Sequence, residues 1–191
     1  LQHTLRECES DAIRCVVITG SGKGFSAGQD LAEIVDPDGP GMARILSEHY
    51  NPIVTAIAAL KKPVIAAVNG VAAGAGANIA LCCDIIAATA SASFIQAFSK
   101  IGLIPDSGGT YFLPRLIGRQ KASAIMMLGD KITAMEAERM GMIYKYFEDS
   151  EYPAELEKIV AALANLPTIS LAFTKQALQS SATQSLSAQL E

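Results

Sequence analysis

Five apolar residues in a row, Val64-Ile65-Ala66-Ala67-Val68, stand between Pro63 and the turn pair Asn69-Gly70. An unbroken apolar run of that length, closed at both ends by chain-breaking residues, predicts a strand buried on both faces, and such strands belong to parallel sheets covered by helices. The pattern returns in Cys15 to Thr19, which exits into Gly20-Ser21-Gly22-Lys23-Gly24, and in Asp84 to Thr89, with Phe94-Ile95 as a short fourth strand. Helical stretches separate them: roughly Met42 to Leu60, ending at Lys61-Lys62-Pro63, and the alanine-rich Ala72 to Cys82. Strand and helix in alternation predict a layered α/β fold.

The rest of the chain reads as mostly helical. Leu1 to Glu7 and Arg119 to Leu128 carry helical patterns, and Thr133 to Met140 opens with Thr133 and Glu136 at capping-box spacing and ends at Gly141. A β-type segment, Met142 to Phe147, precedes two amphipathic stretches, Tyr152 to Leu166 and Thr168 to Ser181, divided by Pro167 and followed by the polar tail Ser180 to Gln189. The expected organisation is an α/β core over residues 1–150 and a helical region over 151–191, whose apolar faces need a partner and suggest oligomerisation.

Composition removes several classes of function. The chain of 191 residues is 50% hydrophobic and 18% charged with a net charge of −4, and no stripe of Lys and Arg runs through it, so nucleic acid is not an expected partner. Its most apolar stretch, Pro63 to Thr89, is interrupted by Asn69, Gly70, Gly74, Gly76, Asn78 and Asp84, against a membrane span of about 20 residues. Four cysteines without C-x-x-C spacing and two histidines predict reduced thiols and no metal site. With no signal-like opening, the expected address is cytoplasmic.

Three segments carry candidate chemistry. In Ile101-Gly102-Leu103-Ile104-Pro105-Asp106-Ser107-Gly108-Gly109 a single carboxylate follows apolar residues, a setting that raises its pKa and suits proton transfer; Pro-Asp-Ser-Gly is equally ordinary turn chemistry. Gly70-Val71-Ala72-Ala73-Gly74-Ala75-Gly76-Ala77-Asn78 leads from a strand into a helix whose free amides attract negative charge, or else packs that helix closely. Phe25-Ser26-Ala27-Gly28-Gln29-Asp30-Leu31 reads as a loop of small residues at a strand exit that lets a ligand approach the backbone. A nucleotide P-loop fails because Lys23 precedes Gly24, and a dinucleotide fold fails because Asp84 begins its strand. Asp106-Ser107-Gly108-Gly109 also has the look of a serine-protease nucleophile segment, but Pro105 and the α/β alternation contradict it.

Taken together, Phe25 to Leu31, Pro63 to Gly76, and Ile101 to Gly109 with Pro114-Arg115 resemble the enoyl-CoA hydratase/isomerase (crotonase) superfamily, and the resemblance runs on through Thr133 to Ala137 and Gly141-Met142. It implies a crotonase (ClpP-like) spiral of ββα units with a helical C-terminal region. The family's N-terminal hairpin and final helices lack a counterpart, which suggests a truncated chain. The same resemblance implies an acyl-CoA substrate that carries its own coenzyme A, no added cofactor, and a homotrimer or hexamer.

By this resemblance the Gln29 and Ala75 amides would hold the thioester oxygen, and Gly74, Asn78 and Phe98 would bind substrate beside them. Ala27, Asp30 and Leu31 would line the adenine and pantetheine path, although Asp30 also suits a helix cap. Two glutamates serve water addition in the family; Asn78 and Phe98 stand in their places, so hydratase chemistry is disfavoured and Asp106 remains as the one acid. Phe98 would keep the pocket dry, and Asn51 would either orient substrate or start a helix beside Pro52. The implied activity is redox-neutral isomerisation of an acyl-CoA, acting on a ring epoxide or on a 3-enoyl chain. Hydratase-like, dehalogenase-like and non-catalytic scaffold roles stay open as alternatives.

Overall fold

Two four-stranded sheets wind through the molecule side by side, one ordered β1-β3-β5-β8 and the other β2-β4-β6-β7. The computed structural model describes residues 1–191, the side chain of Val35 aside. The first sheet comprises β1 (Val16–Thr19), β3 (Val64–Val68), β5 (Ile85–Thr89) and β8 (Lys145–Phe147), all parallel. The second holds β2 (Gly24–Ser26), β4 (Val71–Ala73) and β6 (Ser93–Ile95) in parallel, closed by antiparallel β7 (Lys131–Thr133). Each turn of the spiral lays one strand in the first sheet, one in the second, and then returns through helix, which is the ββα repeat expected.

The all-apolar Val64–Val68 is buried at every position, as a strand flanked on both sides by β1 and β5 requires. Ile57, Val64, Val68, Ala72, Phe94, Leu113 and Met142 form its surrounding core. The second-sheet strands are the main departure from expectation. Phe25-Ser26 lies in β2, not in a loop, and the stretch read as helix from Ala72 contains β4 before α5 (Ala75–Leu81) begins. Strands of three residues are too short to show alternation, so local pattern carries no trace of them. They form because each pairs with its neighbour in the spiral.

The helix expected over Met42 to Leu60 is continuous but not uniform. It runs from Gly41–Arg44 through a π-helical Ile45–Tyr50 into Asn51–Ala59. Pro52 has no N–H to send back one turn, and the Gln2 side-chain amide instead donates to the Glu48 and His49 carbonyls at 2.7 and 3.1 Å. That contact docks the N-terminal helix, Gln2–Glu7, on the widened turn. Asn51 therefore sits inside a helical run and is exposed, which corrects its expected place at a helix start.

Further along come α6 (Gly109–Ile117), α7 (Arg119–Leu128) and α8 (Ala134–Arg139), the last opened by the predicted reciprocal cap of Thr133 and Glu136. The amphipathic pair is α9 (Tyr152–Asn165) and α10 (Thr168–Ser180), and the polar tail holds a short α11 (Leu186–Leu190). Tyr152 fastens α9 by donating its hydroxyl to the Ala87 carbonyl at 3.2 Å. Lys175 fastens α10: buried, it donates to the Ile57 carbonyl at 2.7 Å and pairs with Asp84 at 2.9 Å. Among the described residues no single helix is long and apolar enough to cross a membrane.

Candidate active site

The site is built where β2 and β4 end side by side. Gly28 has φ of +87°, a left-handed backbone open to glycine, and a Cβ there would lie 3.0 Å from the Ala73 carbonyl and 3.1 Å from the Ala75 amide nitrogen. Such closeness brings the chain before Gln29 against the first amide of α5. Gly74, φ +53°, turns the chain out of β4 so that α5 starts at Ala75. Neither the Gln29 nor the Ala75 N–H donates to a backbone or side-chain acceptor among the described residues. Two free donors at one strand-to-helix junction, one of them at a helix N-terminus, are a donor pair of the kind that can hold a developing oxygen anion.

The backbone of Asp106 is tied to α5. The side-chain amide of Asn78, one turn along that helix, donates to the Asp106 carbonyl at 2.9 Å, and the Gly109 N–H donates to the same oxygen at 2.8 Å. Asn78 is three helical steps from Ala75, about 4.5 Å along the axis, so the acid's backbone is anchored within one turn of the candidate donor. Ser107 at φ 48° and Gly108 at φ 76° make the turn tight, and the buried Ser107 hydroxyl donates to the Asp106 carboxylate at 2.9 Å. Burial raises the Asp106 carboxyl above its ordinary range, and the Ser107 hydrogen bond pulls partly the other way. The result is a half-buried carboxyl at a tight turn whose protonated form burial favours.

The remaining candidates separate into walls and scaffold. Phe98 is buried, its ring edge 3.7 Å from where a Gly74 Cβ would stand. Asn78 departs from its expected role in substrate contact: it is fully buried, and its oxygen accepts from the Gln96 side chain at 2.7 Å while its nitrogen serves Asp106. It is a scaffold for the acid. Ala27, Asp30 and Leu31 lie on the exposed rim, and Asp30 caps α2 (Leu31–Val35) by accepting from the Ala32 N–H at 2.9 Å. Asn51 is exposed.

Sequence reasoning missed Gln96, Glu33 and Tyr50. Glu33 accepts from the Gln29 side chain and so steadies the residue whose amide faces the cradle. Burial pushes the Tyr50 phenol up, and the charges of Asp106 and Glu33 push it further. A cavity of about 670 Å³ lined by Lys61, Lys62, Phe173 and Lys175 lies elsewhere, between α10 and the end of the long helix, and includes none of these groups. No group of three or more His, Cys, Asp or Glu side chains among the described residues is placed to hold a metal ion.

The family model described as Enoyl-CoA hydratase/isomerase matches residues 1–191. The chain belongs to that family. It is 46% identical to the 1,2-epoxyphenylacetyl-CoA isomerase of Escherichia coli, over all of this chain and 74% of that protein. It is 30% identical to 4-chlorobenzoyl coenzyme A dehalogenase-1 of an Arthrobacter species, over 92% of this chain and 65% of the relative. Among solved structures, an enoyl-CoA hydratase from Mycobacterium avium subsp. paratuberculosis superposes with a TM-score of 0.88 at 34% identity, covering 99% of this chain and 75% of that one. The spiral is thus the crotonase fold. Membership in the enoyl-CoA hydratase/isomerase family implies an acyl-CoA substrate.

Proposed function

We propose that the protein is an acyl-CoA isomerase that moves a proton on a CoA thioester. The Gln29 and Ala75 amides receive the thioester oxygen as it gains charge, which acidifies the carbon beside the carbonyl. Asp106 removes a proton there and returns it at another carbon, so the double bond or ring shifts while the oxidation level stays constant. One preorganised oxyanion donor is worth about 3 kcal/mol, and general base catalysis a further 100- to 10,000-fold in rate, roughly. No cofactor beyond the substrate's own coenzyme A is required. The reading includes a homotrimer or hexamer working in the cytoplasm.

The observation that carries this reading is the single half-buried acid fixed to the helix that starts at Ala75. Water addition would ask for a second acid, and the two matching positions hold Asn78 and Phe98, both buried and neither able to move a proton. Similarity to the Escherichia coli isomerase supports 1,2-epoxyphenylacetyl-CoA, converted to oxepin-CoA, as one substrate. Migration of a double bond from the 3- to the 2-position of an enoyl-CoA needs the same parts and is the other. Asp106→Asn tests the assignment: turnover of both substrates should fall by about 1,000-fold with acyl-CoA binding retained. Near-normal turnover refutes it.

A further inference from the structure

Gln96 ends a chain of three amide groups that runs inward from the acid. Its Nε2 group donates to Asn78 Oδ1 at 2.7 Å, and Asn78 Nδ2 donates in turn to the Asp106 carbonyl at 2.9 Å. Both side chains are buried, Gln96 at 1% exposure and Asn78 at none. The polarity of this chain is dictated from its acid end. A backbone carbonyl only accepts, so Asn78 must show it nitrogen, which turns Asn78 Oδ1 toward Gln96 and calls for a donor there. Gln96 supplies that donor, while its own Oε1 has no hydrogen-bond partner among the described residues. The bond to Asn78 is what this buried amide does.

Asn78 is closely walled by the chain that follows the acid. A Cβ on Gly109 would lie 2.5 Å from its Nδ2 and 2.6 Å from its Oδ1, so a disturbed amide has little space except to turn over in place. Turned over, it would set Oδ1 against the Asp106 carbonyl and Nδ2 against the Gln96 donor. Gln96 therefore acts twice, holding the useful orientation by one bond and opposing the other by a clash of donors. Its own backbone is seated at the turn that opens α5, where the Ile95 carbonyl just before it accepts from the Gly74 N–H at 2.9 Å. Resting on the isomerase reading, we propose that Gln96 is a positioning residue for the reaction, one that fixes Asp106 through the orientation of the Asn78 amide. Without it Asn78 Oδ1 is a buried acceptor lacking a donor, and any shift of Asn78 that relieves it is passed to the carbonyl of the acid.

The test is Gln96→Met, which removes the donor and keeps the length of the side chain. Turnover should fall about tenfold with KM nearly unchanged, since the acid moves and the exposed rim does not. The backbone carbonyl carbon of Asp106, followed by carbon-13 NMR in the intact protein, should shift in the direction that Asn78→Leu shifts it, by part of that amount. Made in the Asn78→Leu background, Gln96→Met should add no further loss of kcat and no further loss of melting temperature, because no polar pair remains to be broken. The double variant keeps the comparison available if Gln96→Met folds poorly alone. An unchanged Asp106 carbonyl resonance overturns the proposal, as does an equal loss of kcat in both backgrounds, which would mark a packing role. The NMR reading needs no catalysis. If Asp106→Asn stays active while the resonance still moves, the isomerase reading fails and the placement of Gln96 stands.

Discussion

Asn78 holds Asp106 by its backbone: the Nδ2 group donates 2.9 Å to the Asp106 carbonyl from a position with no solvent exposure. Gly109 completes the seat, since a Cβ there would fall 2.5 Å from the Asn78 nitrogen. Helix α5 therefore carries both parts of the proposed chemistry, a free amide at its first residue and, one turn later, the bond that locates the acid.

Asn78→Leu should lose this bond and strand the Gln96 side-chain amide as well. Each buried group left unpaired costs about 1–3 kcal/mol, and a small displacement of the acid costs about 100-fold in rate. Thermal denaturation should show the lowered stability, and steady-state kinetics a fall in kcat larger than any rise in KM. A variant with full turnover would show that the acid's place does not depend on α5.

Gly28→Ala should act on the cradle from the other side. The added methyl would press on the Ala73 carbonyl and the Ala75 amide at 3.0 and 3.1 Å, at a φ of +87° that alanine resists. Displacing one donor should lower kcat by about 100- to 1,000-fold, while the carboxyl titration of Asp106 stays in place. Parallel measurement of both quantities separates the two halves of the site.

Acting as a base, Asp106 must be ionised, and burial raises its pKa. Isomerase turnover should therefore fade on acidification at a pH above the ordinary carboxylate range. The stability consequence has the opposite sense from a salt-bridged acid. The folded state prefers the protonated form, so the ionised carboxyl costs stability at neutral pH, and that cost disappears as pH falls through the folded-state pKa. Asp106→Asn should melt at or above the parent temperature at pH 7, and the difference should shrink in acid. A variant that melts lower at pH 7 would contradict the assignment of burial as the dominant influence.

Lys175 and Asp84 form a 2.9 Å pair that joins α10 to the start of β5, and Asp84 also accepts from the Val64 N–H at 2.8 Å. Burial raises the Asp84 pKa even with Lys175 beside it. Lys175→Met leaves that carboxylate uncompensated and should cost about 3–5 kcal/mol, whereas adding Asp84→Asn should recover a large part. Chemical denaturation of the single and double variants gives the comparison. Equal loss in both would mean that the lysine's bonds to backbone carbonyls, not the ion pair, secure α10.

Much of this protein was legible in the chain. Val64–Val68 declares itself a central strand because five apolar residues leave no face for water, and Thr133 with Glu136 marks a helix start because those two side chains satisfy each other's backbone within four residues. Phe25 to Leu31, Gly70 to Asn78 and Asp106 were likewise visible, since glycines and a lone carboxylate between apolar residues are local facts. The three-residue strands β2, β4 and β7 were not, because their stability comes from partners distant in sequence. Nor could local pattern show that Asn78 looks inward to Asp106 and Gln96. The sequence by itself determined the alternation of elements and the residue types able to hold charge or move a proton. Only the tertiary structure decided which of them meet, because the spiral superposes β2, α5 and the Asp106 turn from segments whose separation along the chain carries no record of their distance in space.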